Sequence, residues 1–155
     1  MNMTENDTTV EETLQLVSFS LGSEEFGIDI LSVQEINRVS SITRVPNAPK
    51  YVVGVINLRG KIIPVVDLRK RFSMPSIATT EHSRIIVVEL DTRVVGFLVD
   101  SVRHVLHVPK SIIEPTPPMV GDIKSEYITG IARLDGTLLT LLDLEKILVK
   151  QEVVL

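Results

Sequence analysis

The sequence predicts an all-β fold: two small five-stranded β-barrels packed side by side, with short helices that include one at the C-terminus. Three observations lead there. Val and Ile supply 38 of the 155 residues while aromatics make up only 4%, a composition that suits pleated, half-buried strands better than helices. The apolar residues fall in short alternating runs separated by tight-turn signals. The third observation is an internal repeat. Residues 54–72 (GVINLRGKIIPVVDLRKRF) match residues 130–148 (GIARLDGTLLTLLDLEKIL) at an offset of 76, with 6 of 19 positions identical, where average residue usage gives about one. An upstream match at offset 69 pairs Leu21/Leu90, Gly27/Gly96, Ser32/Ser101 and Val33/Val102. The two matches keep the same order, so the chain reads as two copies of one β unit, with about five strands each.

The elements follow in order. Residues 14–21 (LQLVSFSL) alternate as a half-buried strand, and residues 26–30 (FGIDI) alternate again after a turn at Glu24-Glu25, which predicts a hairpin. Residues 31–38 (LSVQEINR) fit either one helical turn or a bend into a further strand. Pro46 and Pro49 make residues 45–49 a loop, because proline removes backbone donors. Residues 52–58 and 61–68 are strands around Arg59-Gly60, where glycine supplies the positive φ of a tight hairpin turn. Asp67 then caps a short helix through Phe72. Residues 73–82 (SMPSIATTEH) form the linker. The second copy predicts strands at 84–90, 94–99 and 102–108, an irregular proline-rich stretch at 109–125, and a hairpin at 130–142 turning on Asp135-Gly136. A helix capped by Asp143 then runs to about Lys150. The folded unit is expected over 14–150, with approximate lobes 14–74 and 83–150 and strand exchange between them left open.

Residues 1–13 (MNMTENDTTVEET) carry four acids and no base and read as a disordered acidic tail; residues 151–155 form a second tail. Without the N-terminal tail the body holds 16 acids and 16 bases, so no basic excess attracts nucleic acid. The triplet Arg69-Lys70-Arg71 reads as a solvated helix face, and no aromatic stacking platform accompanies it. The absence of cysteine excludes disulfides and thiolate chemistry. No apolar run reaches the length of a membrane span and no signal-peptide pattern opens the chain, which makes a soluble cytoplasmic protein the expectation.

A search for catalytic or metal-binding patterns finds little. His104 and His107 lie three apart on an expected strand and should face opposite ways, one exposed and one partly buried. No nucleophile elbow, phosphate loop, dinucleotide fingerprint or zinc-helix motif occurs. Asp67 and Asp143 are better read as matching helix caps than as paired catalytic acids. No cofactor is expected.

Residues 54–68 (GVINLRGKIIPVVDL) closely resemble the signature of the CheW family, the coupling proteins of bacterial chemotaxis. Residues 26–36 (FGIDILSVQEI) and 94–102 (VVGFLVDSV) are similar to two further family hallmarks, in the same order. The resemblance implies two five-stranded SH3-like barrels. It also implies a noncatalytic adapter, monomeric when free, that bridges transmembrane chemoreceptors to the histidine kinase CheA at membrane-associated arrays; the kinase's regulatory domain shares the fold. Receptor tips in the family dock in an apolar groove between the barrels, here Ile28, Ile30, Val33, Glu35, Gly54, Asn57, Leu58 and Arg59. Glu35 and Arg59 stand out as a pair that orients this surface through a mutual ion pair. Read without the resemblance, they are an exposed strand carboxylate and an ordinary turn arginine. Gly54 has a strong structural reading as well, since glycine in a strand marks a bulge or a close backbone approach. The loop Arg44-Val45-Pro46 is assigned to the kinase.

Overall fold

The computed structural model describes residues 12–116, 119, 120 and 123–148. Most of the expected N-terminal tail and all of residues 151–155 lie outside these. The first copy contains β1 (Thr13–Leu21), β2 (Glu24–Asp29), β3 (Val33–Arg38), β4 (Val52–Leu58), β5 (Lys61–Asp67) and the one-turn helix α1 (Leu68–Arg71). The second contains β6 (Arg84–Leu90), β7 (Arg93–Val99), β8 (Ser101–Pro109), a two-residue ladder of β9 (Met119–Val120) and β10 (Ile123–Lys124), β11 (Ile128–Leu134), β12 (Thr137–Leu142) and α2 (Leu144–Ile147). Both readings of 31–38 are realised: a 3-10 turn at Ile30–Ser32 leads directly into β3.

The strands form two five-stranded sheets, in the orders β11-β12-β2-β1-β8 and β4-β5-β7-β6-β3. Each position in one order is the repeat partner of the same position in the other. The sheets do not coincide with the expected lobes 14–74 and 83–150, because each combines a hairpin from one copy with three strands from the other. The reason lies in two parallel seams. β12 pairs with β2 through Leu141↔Gly27, and β5 pairs with β7 through Val65↔Gly96, which are the same pair under the two offsets. A Cβ on Gly96 would lie 2.7 Å from Ile85 Cγ2, so the strand beside the seam admits no side chain there.

Both sheets curl. The chain beyond β3 returns along the opposite edge, where Thr43 and Val55 exchange backbone hydrogen bonds of 2.8 and 2.7 Å. Glu114 and Ile131 do the same for the other sheet at 2.8 and 3.0 Å. These bridges join the edges of each sheet and agree with a small closed barrel. Each barrel has its own core: Ile56, Ile63, Val65, Ile85 and Val87 in one, and Leu16, Val108, Ala132, Leu139 and Leu141 in the other. A larger apolar cluster fills the space between them, and through it runs an aromatic row Phe19–Phe26–Phe72–Tyr127 with centroids 5.7, 6.0 and 6.1 Å apart.

The helices are tied in as the repeat requires. Asp67 accepts from Arg69 N at 2.9 Å and Asp143 from Lys146 N at 3.3 Å, so both aspartates are caps. The solvated-face reading of Arg69-Lys70-Arg71 is corrected for two of the three. Arg71 sits 4.7 Å from the Tyr51 ring and 5.1 Å from that of Tyr127, its repeat mate, and donates to Ile147 O at 3.0 Å. Because Ile147 is the repeat equivalent of Arg71 itself, the guanidinium lies close to the pseudo-twofold axis. Arg69 makes a two-pronged contact with Asp100 at 2.8 and 2.6 Å, and Gly22 N donates to the same carboxylate at 2.7 Å. Burial acts to raise the Asp100 pKa; the hydrogen bonds from Arg69 and Gly22 and the charge of Arg69 outweigh it, so the group lies below its ordinary value.

Two predictions follow from this packing. Gly54 holds φ +156 at the bulge of β4, and a Cβ there would lie 2.2 Å from Thr43 O. Gly54→Ala is expected to lose about 2–4 kcal/mol in urea unfolding, since the clash is with backbone that closes the barrel. Asp100→Asn should lose about 1–3 kcal/mol at neutral pH. A lowered folded pKa stabilises above the unfolded value and is lost as pH falls through the folded one. Unfolding curves of wild type and variant should therefore converge as pH drops below about 4.

Candidate functional site

The residues expected to face a receptor start where the chain crosses from one sheet to the other. Asp29 ends β2 and caps the 3-10 turn by accepting from Leu31 N at 2.9 Å. This breaks the strand alternation and turns the following side chains outward in a new order. Ile30 and Val33 are partly buried against the shared core, and Leu31 between them is 89% exposed. Ile28 is a correction: at 2% exposure it is wholly spent on the shared core and offers no surface to a partner. Gly54 is also internal, under the Thr43 bridge, and Leu58 packs partly into the barrel core.

Glu35 and Arg59 do meet. β3 and β4 are opposite edges of a five-stranded sheet, which laid flat would separate them by about 19 Å at normal strand spacing. The curl brings them together. Arg59 Nη2 bonds Glu35 Oε2, and Nη1 reaches Oε1 at 3.4 Å. The turn supplies the aim: Arg59 and Gly60 hold φ +51 and +86, and Asn57 Oδ1 accepts from Gly60 N at 2.9 Å. Arg59 remains 71% exposed against 24% for Glu35, so the cation is presented outward with the carboxylate behind it. The Arg59 hydrogen bond, then one from Asn37, hold the Glu35 carboxyl below its ordinary value, and partial desolvation opposes them. The Arg59 pKa is raised by the same hydrogen bond and by the Glu35 charge. Exposed Ile36 and Ile62 are further apolar side chains of β3 and β5.

Arg44, Val45 and Pro46 do not join this cluster. They line a separate cleft of about 940 Å³ with Lys50, Lys70 and Met74, in which all the charged lining groups are cations. The sequence reading missed Leu31, Ile36 and Asn37. The signal for Asn37 was its period-2 spacing from Glu35 along β3. That for Leu31 was an aspartate able to cap a turn two residues before it.

The histidines add no metal site. β8 carries a bulge opposite Ser18, whose hydroxyl bonds His104 N at 3.1 Å, and both His104 and His107 are exposed. The expectation that one is partly buried is corrected: the bulge breaks the alternation on which it rested. Among the described residues no three His, Asp or Glu side chains converge to hold a metal, and no helix is long and apolar enough to cross a membrane.

Comparison with known proteins gives the family and the fold. The model of the CheW-like domain matches residues 15–152. The chain belongs to the CheW-like family. Chemotaxis protein CheW of Klebsiella aerogenes is 41% identical over 141 residues, covering 91% of this chain and 85% of that protein. The Bacillus subtilis protein of the same name is 34% identical over 137 residues, with 88% of each chain covered. Among solved structures, the scaffolding protein TtCheW from Thermoanaerobacter tengcongensis aligns with a TM-score of 0.83 at 38% identity, covering 92% of both chains.

The Glu35 environment generates a titration prediction. In side-chain carbon NMR, Glu35 should titrate below the usual glutamate value in wild type and return toward about 4.3 in Arg59→Ala. Asn37→Ala should produce a smaller upward shift. An unchanged Glu35 pKa in Arg59→Ala would show that the pair does not persist in solution.

Proposed function

We propose that this CheW-like protein is a noncatalytic chemotaxis adapter that holds the histidine kinase CheA under the control of transmembrane chemoreceptors. The observation that carries the reading is the Glu35–Arg59 pair, which is assembled from opposite edges of one barrel and presents an exposed guanidinium. Family membership supports it, as does the scaffolding role named for TtCheW. The receptor-facing surface consists of Ile30, Leu31, Val33 and Glu35 with Arg59, held in place by Asn57 and Asn37. Apolar side chains there supply contact area and the polar pair fixes register. Gly54, Leu58 and Ile28 act behind that surface by shaping the barrel. The cleft at Arg44, Val45 and Pro46 contacts the kinase's regulatory domain.

The mechanism is population shift. An adapter bound to both partners couples receptor state to kinase state only through contacts that differ between the two states, and the coupling is reciprocal in binding energy. The protein acts in the cytoplasm, is monomeric when free, and joins arrays through these partners rather than by entering the bilayer.

The test is a pull-down with a receptor's cytoplasmic hairpin and with the regulatory domain of CheA, singly and together. Simultaneous capture of both is the expected result; a folded sample that captures neither overturns the reading. Arg59→Asp should reduce hairpin binding at least about tenfold, as for a central interface arginine, with kinase-domain binding and the thermal midpoint retained. Unaltered hairpin binding would remove Arg59 from the receptor-facing surface.

A further inference from the structure

The duplication permits one half of the molecule to be read against the other, and one difference lies at the groove of the barrel interface. On one side of the barrel interface the groove is closed by Gly22, Arg69 and Asp100: the guanidinium grips the carboxylate, Gly22 N donates to it, and Arg69 Nη1 donates to Pro75 O at 2.8 Å. Residues Ile77–Thr79 lie along the same groove. By the two repeat offsets, the counterparts of Gly22, Asp100 and Arg69 are Asp91, Leu31 and Glu145. Every member of the closure has changed character. The acceptor has become leucine, the cation has become glutamate, and an acid stands at the turn.

The consequence is an open cleft of about 460 Å³. Asp29, Glu89, Asp91, Asp143 and Glu145 line it with no lysine or arginine. Asp29 and Asp143 are fixed by their capping bonds, and Glu89 accepts from Gln34 Nε2 of β3 at 3.0 Å. Among the described residues none of these five carboxylates takes part in an ion pair. Arg93, two residues beyond Asp91, does not line the cleft. Leu31, 89% exposed, lies between lining residues Asp29 and Ser32 and leads into Val33 and Glu35. The acidic cleft is thus continuous, through Ser32 and Gln34, with the surface assigned above to the receptor.

We propose that this cleft receives a lysine or arginine of the receptor tip, with a neighbouring apolar side chain against Leu31, so that the partner supplies in trans the cation that Arg69 supplies in cis on the closed side. The inference rests on the coupling reading of the previous subsection. Charge complementarity selects the partner: a concave site with five carboxylates and a projecting leucine disfavours an acidic segment and rewards a basic one flanked by apolar residues. The chemistry is a charge-assisted hydrogen bond from that cation to Asp91 or Glu145, the acids that stand at the Gly22 and Arg69 positions on this side.

The test installs the missing closure. In the triple variant Asp91→Gly, Leu31→Asp, Glu145→Arg, all three residues of the closed side are copied; glycine suits position 91, where φ is +60, as Gly22 does at +63. The full-length protein should fold with an unchanged or higher urea midpoint, bind the CheA regulatory domain as wild type does, and bind the receptor hairpin at least about tenfold more weakly. A second variant, Asp91→Asn with Glu145→Gln, alters charge alone. Its hairpin affinity should fall about three- to tenfold in low salt, and the difference from wild type should shrink in high salt. Because Leu31 already belongs to the receptor-facing surface, the charge variant decides: wild-type hairpin affinity in Asp91→Asn with Glu145→Gln at low salt overturns this inference and leaves the coupling reading standing. Failure of the wild-type protein to bind the hairpin at any salt overturns the coupling reading, and the inference with it.

Discussion

The parallel seam between the copies is the constraint on which the structure depends. β2 has β1 on one side and needs a partner on the other; β12, from the far end of the chain, is that partner, and β5 does the same for β7. Parallel strands cannot be joined by a short turn, so such a pair must be built from distant segments. Once the seams form, the leading hairpin of each copy completes the other copy's barrel, and the apolar outer faces of the two sheets are driven against each other. The shared core, the aromatic row and the near-axial position of Arg71 all follow from that exchange.

Barrel curvature is what turns this scaffold into a presenting surface. A turn arginine with positive φ and a strand glutamate on the opposite sheet edge have no reason to meet in an open sheet; closure along Thr43–Val55 makes them neighbours. The pair is exposed and adds little to stability, so its value lies in geometry. Glu35 and the Asn57–Gly60 bond hold the guanidinium in one place before a partner arrives, which spares part of the ordering cost of binding. The other barrel has the same frame, with His104 at the Glu35 position and Asp135 at the Arg59 position, and no corresponding ion pair among the described residues.

Strand positions, both capping aspartates and the Arg59-Gly60 and Asp135-Gly136 turns were legible because each rests on local chemistry: alternation, a side-chain acceptor, a backbone angle. The repeat made the two-barrel architecture legible as well. Which strands share a sheet was not, because the repeat fixes what the units are and leaves open how they interleave. Ile28 illustrates the limit at the site. Its alternation within FGIDI marks one side of a strand as apolar, and the outer face of a barrel looks no different in sequence whether it lines an open groove or a packed interface. The Arg69 and Arg71 misreading has the same origin, since one turn of helix next to a second barrel leaves only Lys70 of the triplet exposed to solvent. Glu35 and Arg59 were paired on the strength of the family resemblance; twenty-four positions apart, they carry no local signal of contact.

The interleaving also sets the order in which the molecule comes into being. A ribosome releases β1 and β2 first, but the strand that completes their sheet is almost the last to emerge. Neither half of the chain contains a finished barrel, so no stable intermediate corresponds to half of the sequence, and the non-local seams place the fold among slow, high-contact-order topologies. Until β12 arrives, β2 is an exposed edge with apolar neighbours, the kind of surface that pairs with strangers. Two copies fused in one polypeptide shorten that exposure. The right partner for every open strand is already tethered at high local concentration, and what began as a repeat serves the chain as its own assembly chaperone.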